Sequence, residues 1–101
     1  GNKLALNEIV AIYFLIGDLS AAELINRRFF QLHPDAAEPY MHQGNLSLAK
    51  RDTTSAMEYY NQALKRNPEN QEFKQYVNSI KKSVKFDLIE ENAVSSNQTD
   101  E

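Results

Sequence analysis

Apolar residues recur along this chain at helical spacing, and short polar turns interrupt them at regular intervals. Leu19, Ala22, Ile25, Phe29 and Leu32 form one stripe, and Ala56, Tyr59, Tyr60, Ala63 and Leu64 form another. Phe73, Tyr76, Val77, Ile80 and Val84 make a third, with Leu88 one turn later. The breaks fall at Gly17-Asp18, His33-Pro34-Asp35, Arg51-Asp52-Thr53 and Asn67-Pro68-Glu69-Asn70. A residue before proline is pushed out of helical geometry, so His33 and Asn67 are stop signals, whereas Pro39 suits a first helical turn. The pattern predicts helices at 3–16, 19–33, 37–50, 53–66 and 71–90. No stretch alternates with period two long enough to make a strand, so the fold class is all-α.

Residues 9–16 depart from this regularity, being apolar on every side of a helix. Ile9, Tyr13 and Ile16 are expected to face the second helix, which leaves Ile12, Phe14 and Leu15 pointing elsewhere. The run is too short to cross a bilayer, which takes about 20 apolar residues. It also lacks the basic flank and cleavage site of a signal peptide.

Residues 3–36 and 37–70 repeat with an offset of 34, at which Asp18 matches Asp52, Ala22 matches Ala56 and Pro34 matches Pro68. Both units read helix, short turn, helix, proline stop. The second carries Tyr40, Gly44, Ala56, Tyr60, Ala63 and Pro68 at the aromatic, small and proline places of a tetratricopeptide repeat, which the chain resembles over about residues 3–85. The first unit is looser: Val10 and Phe29 stand at small places and Asn26 at an aromatic one, as if Phe29 and Asn26 had exchanged volume. Gln43 and Ser47 stand at places usually apolar or aromatic. Asn26, Gln43 and Ser47 are therefore expected to meet in one buried polar contact. The resemblance implies two antiparallel helical hairpins and a C-terminal capping helix in an α-solenoid, the superhelix of such repeats. The expected domain covers 1–91, with repeats at 3–36 and 37–70 and a cap at 71–91, followed by an acidic, flexible tail at 92–101. In this arrangement Gly44 would let its helix approach Ala56.

Composition narrows the chemistry. Hydrophobic residues make up 42% and charged residues 25% of the 101 positions, a balance that suits a soluble globular domain. With no cysteine, a thiol nucleophile, a disulfide and a zinc–thiolate site are excluded. The formal net charge is −3, and Asp87, Glu90, Glu91, Asp100 and Glu101 supply five negative charges after the last basic residue, Lys85. The rest is close to balanced, and the basic pairs Arg27-Arg28, Lys50-Arg51, Lys65-Arg66 and Lys81-Lys82 sit where helix C-termini or solvent faces accept them, so no nucleic-acid partner is expected. No Ser or His occupies a nucleophile setting, and no glycine-rich phosphate loop occurs. Glu38 and His42 are four apart, half of a metal site without a second pair of ligands, and read as a surface pair. The triplets Asn45-Leu46-Ser47 and Asn97-Gln98-Thr99 read as chance matches to a glycosylation signal. The expectation is a non-enzyme with no metal and no cofactor, and the cytoplasm is the favoured compartment.

The resemblance implies a concave groove lined by the first helix of each hairpin and by the cap. Its expected lining is Asn7, Ala11, Phe14 and Leu15, then Glu38, Met41, His42, Asn45 and Ala49, then Glu72, Gln75, Tyr76 and Ser79. One subgroup of the family grips acidic chaperone tails through a carboxylate clamp of Lys, Arg and Asn. The corresponding places here hold Asn7, Ala11, His42, Glu72 and Tyr76, without a cation, so that clamp is missing and an apolar or amphipathic segment is the better ligand. The expected function is an adaptor that binds a peptide or helix. The alternative is a self-assembling module, or the C-terminal end of a longer solenoid, with Ile12, Phe14 and Leu15 contacting an upstream repeat, a second copy in a homodimer through the first helix, or a partner helix.

Overall fold

In a computed structural model of the chain, the backbone is described over residues 2–99 and side chains over 2–85. Five helices follow in order: α1 (Lys3–Leu15), α2 (Leu19–Leu32), α3 (Glu38–Ala49), α4 (Thr53–Arg66) and α5 (Gln71–Thr99). No strand occurs among the described residues. The backbone of α5 runs past the cap boundary read from the sequence, and the side chains of the 92–101 tail lie outside the described residues. Each helix packs on the next, and α1 also reaches α3. Three residues join α1 to α2 and three join α3 to α4, so each packed pair reverses direction as a hairpin.

The 34-residue period is present in the backbone itself. Leu19 and Leu32 bound α2 where, 34 residues on, Thr53 and Arg66 bound α4. Asp18 accepts a hydrogen bond from the Ala21 amide at 3.1 Å, and Asp52 accepts one from Ser55 at 3.1 Å. Each satisfies a donor that a helix start leaves without a partner. Ahead of each cap sits a left-handed residue, Gly17 at φ 85° and Arg51 at φ 63°. The same turn bonds recur, from Gly17 N to Phe14 O and Asp18 N to Tyr13 O, then from Arg51 N to Leu48 O and Asp52 N to Ser47 O. His33 and Asn67 end their helices with nearly identical extended-side dihedrals before Pro34 and Pro68.

Two apolar clusters hold the elements together. Val10, Ala22, Phe29 and Leu46 form the first, across α1, α2 and α3, with Leu6, Tyr13, Phe14, Leu19 and Ile25 around it. Ala56, Tyr60 and Val77 form the second, across α4 and α5, with Leu48, Met57, Phe73 and Ile80 around it. Burying each large side chain stabilises the fold by about 1.5–3 kcal/mol. α1 is turned differently from expectation: Val10, Tyr13 and Phe14 face inward, while Ile9 and Ile16 are exposed. A helix rotates 100° per residue, so Val10 and Ile9 cannot both face α2, and the smaller Val10 fits opposite Ala22.

The repeat-equivalent positions differ in volume but not in burial. Asn26 and Tyr60 are equivalent positions, as are Phe29 and Ala63, and all four are fully buried. Opposite Tyr60 stands Gly44, where a Cβ would meet the ring at 2.5 Å; the space expected to bring α3 close to Ala56 is filled by Tyr60. Opposite Asn26 the equivalent residue is Val10. The hydrogen bonds also revise the polar contact. Asn26 Nδ2 donates to Pro39 O at 2.9 Å and to Gln43 Oε1 at 3.2 Å. Ser47 is buried but forms no hydrogen bond with either, and Asn26 Oδ1 is buried without a partner among the described residues. One helix turn separates Gln43 from Ser47, and the Asn26 amide reaches only the nearer.

Two substitutions test the packing and the turn. Alanine favours a helix by about 1 kcal/mol over glycine, yet Gly44→Ala is expected to lower unfolding free energy in urea by ~2 kcal/mol because the Tyr60 ring cannot yield. Arg51→Gly, which relieves a left-handed side chain, is expected to raise it by up to about 1 kcal/mol.

Candidate functional site: an apolar groove across three helices

α1, α3 and α5 each contribute side chains to one cavity. Phe14 from α1, Asn45, Leu48 and Ala49 from α3, and Tyr76 and Ile80 from α5 surround an open, mostly apolar cavity of about 360 Å³. Phe14, Asn45, Ala49 and Tyr76 were expected there from the sequence. Leu48 and Ile80 were not; both also pack on the core cluster around Tyr60.

Tyr60 shapes this groove from beneath. Its hydroxyl donates to Asn45 Oδ1 at 2.6 Å. Burial first, and the neighbouring Tyr76 second, push the Tyr60 hydroxyl up to about 12, so it stays protonated and remains a donor. The bond holds the Asn45 side chain at the groove, and its amide N–H groups make no hydrogen bond among the described residues. The groove thus combines apolar walls with one oriented polar donor, the usual make-up of a specific pocket.

Other expected lining residues have different places. His42 is not half of a surface pair. It is buried, its Nε2 lies 2.5 Å from Asn7 Oδ1, and its ring tilts against Phe29. An amide oxygen only accepts, so Nε2 carries the hydrogen. Glu38 pairs instead with Lys3 across α1 and α3 at 2.9 Å. Asn7 and His42 therefore join the hairpins and do not line the cavity. Leu15 is 81% exposed and lies outside the cavity lining, as do Ala11, Met41, Glu72, Gln75 and Ser79.

Charged side chains make further ties between the helices. Lys50 Nζ reaches both Glu23 oxygens at 2.9 Å, linking α2 to the end of α3 and holding that carboxyl below its usual range. The Arg66 guanidinium stacks 4.0 Å from the Tyr40 ring, which meets Phe30 edge-on at 4.8 Å. Among the described residues no three His, Asp or Glu side chains converge as metal ligands, and no helix is long and apolar enough to cross a membrane. A scan against protein-family models finds no match, and a search of curated proteins finds no significant match.

Burial lowers the His42 pKa from 6.5 to about 4, with Glu38 opposing the shift. Between those values the unfolded chain binds a proton that the folded chain refuses, so stability falls as pH drops through this window. The expected loss from pH 7 to 4 is on the order of 3 kcal/mol. Urea unfolding of wild type and His42→Gln across this range isolates the effect, because the variant is expected to lose that slope. The depressed carboxyls of Glu23 and Asp52 weaken both proteins alike at the acidic end.

Proposed function

We propose that this chain is a protein-interaction module, and that the groove across α1, α3 and α5 holds a short apolar or amphipathic segment of another protein. The observation that carries this reading is the groove itself: Phe14, Leu48, Ala49, Tyr76 and Ile80 present apolar surface from three helices around the oriented amide of Asn45. A ligand would bury apolar side chains between Phe14 and Ile80 and offer a backbone carbonyl to Asn45 Nδ2. Tyr76, 52% exposed, adds a large surface with few rotamers to freeze. The groove has no cation at its walls, which disfavours a terminal carboxylate as the recognised group.

The wider assignment is a two-repeat α-solenoid of the tetratricopeptide type with α5 as the cap. Its support is the 34-residue recurrence of caps, left-handed turns and pre-proline stops. Repeats of this kind present extended concave surfaces for binding.

Selection from a peptide library against the folded chain tests the groove. Ala49 is exposed at the groove, so Ala49→Arg is expected to fold normally while filling the cavity with a charged side chain. The expected outcome is enrichment of peptides with two or three apolar anchors that bind wild type and bind Ala49→Arg at least tenfold more weakly. Peptides that bind both proteins equally would remove the groove from the account.

A further inference from the structure

Resting on the groove reading above, we infer that Tyr60 is the positioning residue of the groove: its hydroxyl locks the Asn45 amide in one orientation, so that the groove selects a segment with a free carbonyl oxygen. Tyr60 is 0% exposed, and its ring is held against Gly44 and among Ala56 and Val77, so the hydroxyl cannot swing away. Among the described residues that hydroxyl makes one hydrogen bond, to Asn45 Oδ1 at 2.6 Å. An asparagine amide has an oxygen that accepts and a nitrogen that donates. Turning the nitrogen toward Tyr60 would let the phenol oxygen accept, but the phenol proton would then lie in the core without an acceptor. A buried donor left unpaired is costly, and bonding Oδ1 avoids that cost. Asn45 therefore keeps Oδ1 on Tyr60 and turns Nδ2 away from it.

The internal repeat shows that the two residues belong together. Shifted back by 34 residues, Asn45 maps onto Ala11 and Tyr60 onto Asn26. Asn26 is bonded to Pro39 and Gln43, and Ala11 has no polar side chain to orient. The pair is present in the second unit and absent from the first, so the groove has this one oriented amide among walls of Phe14, Leu48, Ala49, Tyr76 and Ile80. An apolar segment that covers Asn45 strips water from Nδ2 and must supply an acceptor in exchange. The donor is neutral and no cation stands in the lining, so a neutral carbonyl suits it better than a carboxylate. A carbonyl in the middle of a helix already accepts from the amide four residues on and points along the axis. The oxygen that meets Asn45 therefore belongs to an extended stretch, or to the last turn of a helix, where carbonyls are left free.

The probe is a peptide selected on the wild-type chain whose binding Ala49→Arg weakens, together with analogues in which each carbonyl in turn becomes a thiocarbonyl, a weaker acceptor. Wild type is expected to bind one analogue about three- to tenfold more weakly than the parent peptide. Tyr60→Phe keeps the ring against Gly44 and is expected to retain its far-ultraviolet circular dichroism. It is expected to bind the parent more weakly, and the parent and that analogue within about twofold of each other. A hydroxyl with a purely structural role would weaken both peptides alike and leave their ratio unchanged. Asn45→Asp gives a second variant: it keeps an acceptor for Tyr60 but presents an oxygen in place of Nδ2. It is expected to bind the parent at least about tenfold more weakly and to lose the preference. Analogues that all bind wild type like the parent overturn the inference and leave the groove reading standing. So does a preference that Tyr60→Phe or Asn45→Asp preserves, or a sensitive carbonyl in the middle of a bound helix. Selection that yields no peptide sensitive to Ala49→Arg removes the groove reading, and this inference with it.

Discussion

The contact on which the structure turns is the Tyr60 ring lying against Gly44. A Cβ at residue 44 would come within 2.5 Å of that ring, so α3 and α4 keep their spacing only while residue 44 has no side chain. The same ring belongs to the cluster with Ala56 and Val77, which seats α5 on the second hairpin. Its hydroxyl, bonded to Asn45, holds the polar end of the groove. One aromatic side chain thus couples the second hairpin, α5 and the candidate site. The first hairpin meets the same geometric demand differently, with Val10 and Phe29 supplying bulk and Asn26 turned toward α3.

Much of the architecture was legible because helix boundaries are local chemistry. Asp18, Asp52, Pro34 and Pro68 act within one turn of themselves, and the caps and stops stand where those residues predict. The Asn26–Gln43 contact was also legible, since two polar residues at apolar places demand each other. What escaped was rotation about helix axes and residues whose type conceals burial. α3 buries Pro39, His42, Gly44 and Ser47, which carry no hydrophobic signal, so His42 read as surface. α1 fails in the opposite way: it is apolar around most of its circumference, and periodicity cannot say whether Ile9 or Val10 faces inward. Of the groove, Phe14, Asn45, Ala49 and Tyr76 were implied by the resemblance, while Leu48 and Ile80, which also pack on the core, were not.

The two apolar surfaces of α1 have different physical characters. Phe14 contributes one wall of a concavity shared with α3 and α5, where curvature and the Asn45 amide limit what fits. Ile12 and Ile16 are exposed on α1 and at its C-cap, and the exposed Glu8 stands one turn before Ile12. The pairing of His42 with Asn7 and of Glu38 with Lys3 fixes α1 against α3, so both surfaces are held by the same junction between hairpins.

The central claim is that recognition occurs in the groove of α1, α3 and α5. Intermolecular nuclear Overhauser effects between a selected peptide and the methyl groups of the chain test it most directly. The account predicts cross-peaks from the peptide's apolar side chains to Leu48 and Ile80, accompanied by contacts to the Phe14 and Tyr76 rings. Cross-peaks confined to Leu24 and Ile25 on α2 or to Met57 on α4, with the Leu48 and Ile80 methyls unaffected, would contradict it.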